Sequence, residues 1–143
     1  MSTDASIEAL QRTLAGEHAA IYVLAALGGR ASTLTAPALR TALASAYGAH
    51  VERRDRLRLM IASAGTDPVA AEPAYRIPAD LDTAAQIESR ALAVEQACTS
   101  TYSALVAATT DGDRRWAVEA LVATAVAEAA FGARPQALPG LDR

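Results

Sequence analysis

Ile7, Leu10, Leu14, Ile21 and Leu24 recur at the three- and four-residue steps that line one face of an α-helix. The residue that should continue this stripe between Leu14 and Ile21 is Glu17, followed by His18. A second stretch repeats the pattern and the anomaly. Leu39, Leu43, Leu57 and Ile61 form its stripe, and His50 stands in the middle. A carboxylate and an imidazole in core positions are costly unless paired or ligated. The chain is thus constrained to a helical bundle whose interior supplies partners for Glu17 and His50. Bundles that hold a metal between their helices share this pattern.

Four helical stretches follow from the punctuation. The first runs from about Asp4 to Leu27 and stops at Gly28-Gly29. The second starts after Thr35 as N-cap, with Pro37 in its first turn, and runs to about Ala64, ahead of Gly65 and Pro68. The third spans about Asp82 to Ala108, and the fourth about Asp113 to Gly132. The tail, residues 133–143, holds Pro135 and Pro139 and should be extended. The short first and third connections make helices one and two antiparallel, and likewise three and four. The middle connection, Gly65 to Leu81, carries Pro68, Pro73 and Pro78. About 17 extended residues reach about 55 Å, whereas a helix of about 30 residues is about 45 Å long. The link can return along the whole bundle and set helices two and three parallel. The expected fold is therefore all-α, a single domain over residues 1–143, with one long crossover.

Composition narrows the function classes. Alanine supplies 37 of the 143 residues, which favours helix and close helix approach. All 13 basic residues are arginine and the net charge is −3, so no basic surface exists for nucleic acid. MSTDASIEAL has no cationic segment leading into an apolar run, and no apolar stretch approaches the roughly 20 residues that span a bilayer. The lone Cys98 has no partner for an internal disulfide. The expectation is a cytoplasmic chain with no membrane partner.

Glu17 and His50 are equally far from the first turn and should lie at one height. With helices two and three starting level, His50 falls near Glu95 and Cys98. Folding about the third connection brings Glu128 within about a turn of Glu95. The candidate metal ligands are accordingly Glu17, His50, Glu95 and Glu128. Pattern places only Glu17 and His50 firmly inside. Glu88 and Glu95 compete with a stripe of Ile87, Ala91, Val94, Cys98 and Leu105, and Glu128 competes with Ala129.

This constellation with its crossover resembles the ferritin-like superfamily. More narrowly, it resembles an actinobacterial family of ferritin-like domains of unknown function. The shared residues are Glu17-His18-Ala19-Ala20-Ile21-Tyr22, His50 with Arg53-Arg54-Asp55, Glu72-Pro73-Ala74-Tyr75 and Pro139-Gly140-Leu141. The resemblance implies a fold, and that family has no activity to carry over. Ferritin-like dimetal sites use a Glu on each of two helices and a Glu-x-x-His on each of the others. Here those two motifs read Tyr47-x-x-His50 and Glu128-x-x-Phe131, so one carboxylate and one imidazole are missing. Homodimers are common in ferritin-like proteins, and the resemblance extends that expectation to this chain.

Three readings of the site follow. A di-iron oxidase lacks two of its six ligands. A single Fe(II), Mn(II) or Zn(II) on Glu17, His50, Glu95 and Glu128 is chemically sound. In the third, no metal is bound, and Arg53 or Arg54 replaces the cation while Tyr22 and Tyr47 donate to the carboxylates. This buried polar network of Glu17, Tyr22, Tyr47, His50, Arg53, Arg54 and Glu95 is the reading we adopt. It explains a surviving carboxylate without its metal, and it expects no cofactor. The chain then serves as a structural or interaction module, as a homodimer or against another protein. A reduced Fe or Mn site for oxidoreduction or storage is the alternative, and a small-molecule binder in the gap between helices is a third class. Two histidines without accompanying motifs support no nucleophilic triad, and no glycine-rich phosphate loop is present.

Overall fold

A computed structural model describes residues 3–141. It contains four helices: α1 (Thr3–Ala31), α2 (Pro37–Ser63), α3 (Ala84–Ala108) and α4 (Asp111–Ala130). The termini show why each helix begins where it does. Pro37 sits at the start of α2 after Ala36, so the N-cap falls one residue beyond Thr35 and lacks a side-chain cap. Thr83 caps α3 in a reciprocal box with Gln86, which moves the start past Asp82. Helix α4 opens at Asp111 behind Thr110, two residues earlier than expected, and puts Asp111 and Asp113 in its first turn. Gly28 and Gly29 do not stop α1. The helix continues to Ala31, which is fully buried.

The crossover runs back along α1. Gln11 Nε2 donates to the Asp67 carbonyl at 2.8 Å, and Gln11 Oε1 accepts from the Val69 amide. His18 Nε2 lies 3.0 Å from the Val69 carbonyl, Tyr22 stacks at a tilt on Tyr75, and Arg30 pairs with Asp82. Contacts that advance together along both segments require parallel travel. The link therefore carries the chain from the end of α2 back to its beginning, and α2 and α3 are parallel.

Helix α1 packs on α2 and on α3, and α4 packs on α3, whereas α2 and α4 barely meet. The bundle is thus a square with one loosely closed side. Two apolar layers fill it. One gathers Leu10, Leu14, Leu57, Ile61 and Leu105, and the other Leu24, Leu27, Leu43, Ile87 and Phe131. Glu17, His50 and Glu95 are buried in the interior at the level between these layers. The tail returns over α3. A Cβ on Gly140, whose φ is +83°, would lie 2.7 Å from the Thr99 carbonyl oxygen. No helix among the described residues is long and apolar enough to cross a membrane.

Candidate functional site

His50 is completely buried on α2, and each of its ring nitrogens faces a carboxylate. Nδ1 is 2.5 Å from Glu17 Oε2, and Nε2 is 2.9 Å from Glu95 Oε1. A ring flanked by two carboxylates can donate to both only as an imidazolium, and this placement favours that form. Burial on its own would discharge the ring. Cys98, Glu17 and Glu95 outweigh it and raise the His50 pKa to about 11. Arg53 Nη2 stands 3.3 Å from Nδ1. With both groups protonated, this is a contact between two cations that share Glu17.

Glu17 is the hub. Its Oε1 accepts from Arg53 Nε at 3.2 Å and from the Tyr102 hydroxyl at 2.6 Å, and its Oε2 accepts from His50. Burial pushes its carboxyl up, but His50, Arg53 and Tyr102 together hold it below the ordinary carboxylate range. Burial and the neighbouring Glu17 push the Tyr102 hydroxyl well up, so it stays a donor. The Arg53 guanidinium is held charged by Glu17 despite its burial, and it lies 5.8 Å from the centre of the Tyr102 ring. Two carboxylates, Glu17 and Glu95, are therefore matched by two cations, His50 and Arg53. Among the described residues, Glu95 Oε2 is the one buried side-chain oxygen or nitrogen with no hydrogen-bond partner.

Of the residues expected here, Glu17, His50, Arg53 and Glu95 meet. Tyr22, Tyr47 and Arg54 lie outside the cluster. Tyr22 turns outward against Tyr75, Tyr47 is 40% exposed, and Arg54 pairs with Asp55. The reason is helical phase. At 100° per residue, Tyr47 and Arg54 fall about 40–60° to one side of His50, and Arg53 falls about 60° to the other. Glu128 is buried, but it lines a separate cavity with Leu121, Arg134 and Pro139 of the tail. A Cβ on Gly132 would lie 3.0 Å from Glu88 Oε1, so residues 132 and 88 are about level and Glu128 stands about a turn below Glu95. Glu88 itself is exposed. Tyr102 was missed. Its signal is the seven-residue step from Glu95, which puts both on one face of α3.

The donor set decides what the site can hold. Tyr47 and Phe131 are the two positions at which the resemblance would have called for a further carboxylate and imidazole. Tyr47 is at the surface, and Phe131 is buried in an apolar layer. Glu17, His50 and Cys98 each offer one atom within 4.8 Å of the others. To ligate there, His50 must lose its Nδ1 proton, and Cys98 must lose a thiol proton that burial holds above its ordinary pKa. Glu17 would offer Oε2, since Arg53 and Tyr102 occupy Oε1. For a cation to load there, protons must leave His50 and Cys98.

Residues 9–143 match the family described as a domain of unknown function, DUF4439. The fold is also similar to the crystal structure of a conserved hypothetical protein, rv2844, from Mycobacterium tuberculosis. The TM-score is 0.82 at 30% identity, over 92% of this chain and 97% of that one. No curated protein matches the chain.

Proposed function

We propose that this chain, which belongs to the DUF4439 family of domains of unknown function, is a non-catalytic ferritin-like interaction module with an ion cluster in place of metals. The observation that carries this reading is the position of His50 between two carboxylates. An imidazolium has no lone pair with which to take a proton or bind a metal. Glu17 is equally committed, with three donors on its two oxygens. The cluster fixes the relative placement of α1, α2 and α3 and leaves the outer faces for recognition. Val118, Val122 and Val126 form a four-residue-spaced exposed row on α4, which we assign to self-association as a homodimer.

The test is elemental analysis of protein purified without chelator or affinity nickel, then reloaded anaerobically with Fe(II), Mn(II) and Zn(II). The expected result is less than about a tenth of a metal per chain. Near-stoichiometric metal that disappears in Glu17→Ala overturns the reading in favour of a reduced metal centre. Sedimentation of the parent and Val122→Arg tests the dimer. The expected outcome is a dimer that the arginine converts to a monomer, and a monomeric parent contradicts the assignment.

A further inference from the structure

The loosely closed side of the bundle holds a groove of about 590 Å³ between α2 and α4. Its walls include Ala42, Ala46 and Ala49 on α2 and Ala123 and Ala127 on α4. Alanine on both walls would let the helices close on one another. Each is held instead by its other neighbour, α2 by α1 and α4 by α3, so the gap persists. The volume lies in the range of small-molecule sites.

The groove also has a polar side, formed by Arg53 and Glu95. Glu95 is completely buried, its Oε1 is used by His50, and its Oε2 has no donor. A buried carboxylate oxygen without a donor is costly, and native cores rarely leave one unmet. Arg53 reaches Glu17 with Nε, and its guanidinium carries further N–H donors. Glu95 lines the groove with its unmet oxygen just beneath the surface, so a small rotation of the carboxyl would present that acceptor beside the Arg53 donors.

We propose that this groove binds a small amphipathic molecule whose neutral head, a carboxamide or an alcohol, both donates and accepts a hydrogen bond. The head donates to Glu95 Oε2 and accepts from Arg53, and the apolar body lies along the alanine walls. Neutrality follows from the charge balance of the cluster. Glu17 and Glu95 already match His50 and Arg53, so an ionic head would enter a buried site uncompensated. This inference rests on the ion-cluster reading given above.

The experiment titrates octanamide into isotopically labelled protein and follows amide shifts, with octylammonium and octanoate as charged counterparts. Saturable one-to-one binding is expected with a dissociation constant below about 1 mM. Shifts should centre on Ala46, Ala123, Ala127 and Phe131, and both charged ligands should bind at least about tenfold more weakly. Ala127→Leu fills the groove without touching the ion cluster. It should weaken octanamide binding at least about tenfold and leave the melting temperature in place. Absence of saturable shifts, shifts elsewhere, or affinity unchanged in Ala127→Leu overturns the proposal. So does a dimer that Ala127→Leu breaks and Val122→Arg does not, because a second copy then fills the groove. The His50 ring nitrogens, observed in the same samples, separate the two readings. Failed binding with both nitrogens protonated overturns the ligand proposal alone. Preferred binding of octylammonium with one nitrogen unprotonated overturns both.

Discussion

Replacing Glu17 with alanine removes the one group that His50, Arg53 and Tyr102 share. The side chain is 1% exposed, so water cannot take its place without opening the bundle. Removing one member of a buried ion pair costs about 3–5 kcal/mol. The Tyr102 hydroxyl, left without an acceptor, costs about 1–3 kcal/mol more when considered alone. These losses overlap because the same relaxation serves both, and we expect about 4 kcal/mol in total. At about 2.1 cal/mol/K per residue, unfolding this chain releases about 0.3 kcal/mol/K, so the melting temperature should fall by about 13 °C. Thermal unfolding followed by circular dichroism reads this directly. Adding Arg53→Ala removes the stranded guanidinium, and the double variant should be less destabilised than the two single changes together, by at least about 1 kcal/mol. A Glu17→Ala variant that melts within about 3 °C of the parent refutes the reasoning, because that is the response of a surface carboxylate.

Stability should depend on pH in both directions. His50 is raised from 6.5 to about 11, so its contribution is complete below pH 6.5 and is lost as pH rises toward 11. The slope approaches about 1.4 kcal/mol per pH unit in that window. Glu17 is lowered from 4.5, so its contribution is present above that value and is lost as pH falls through the folded-state pKa. Denaturant melts should therefore show greatest stability between about pH 4.5 and 6.5, and a flat profile from pH 6.5 to 10 contradicts the imidazolium. Gly140→Ala meets the Thr99 carbonyl at a positive φ and should cost about 1–3 kcal/mol while exposing the tail to limited proteolysis. Gly48→Ala, in open space within α2, should instead stabilise by up to about 1 kcal/mol, and equal effects of the two changes contradict the tail contact. Cys98 is buried with its thiol pKa raised, so a thiol reagent should modify it only through unfolding. A rate proportional to reagent and insensitive to denaturant contradicts that placement.

The order and direction of the helices were legible because apolar stripes and prolines act over short range. Leu14, Leu24, Leu43 and Leu57 mark faces that the core must cover, and Pro68, Pro73 and Pro78 keep the crossover out of helix. Helix ends were less legible. Gly28 and Gly29 cost only about 1 kcal/mol each in a helix, a penalty too small to stop α1 before the buried Ala31. The interior places of Glu17 and His50 follow from stripe phase, which a single helix defines. Their partners do not, because partner choice depends on the rotation of one helix against another. Arg53 and Arg54 are consecutive and about 100° apart, and only the packed bundle turns Arg53 inward. Tyr102 reads as an ordinary core aromatic until α3 is seated against α1, when its hydroxyl meets Glu17. The open side between α2 and α4 has no sequence signature, since alanine on a helix face signals close approach as readily as a gap.

The proposed ion cluster requires a charged His50 between Glu17 and Glu95. Nitrogen-15 spectra of the His50 ring in uniformly labelled protein at pH 8, recorded before and after incubation with Fe(II) or Zn(II), test it most directly. The account predicts that both ring nitrogens carry protons at a pH where a solvent-exposed histidine carries one, with no change on adding metal. A single protonated nitrogen, or a ring signal displaced by stoichiometric metal, would contradict it.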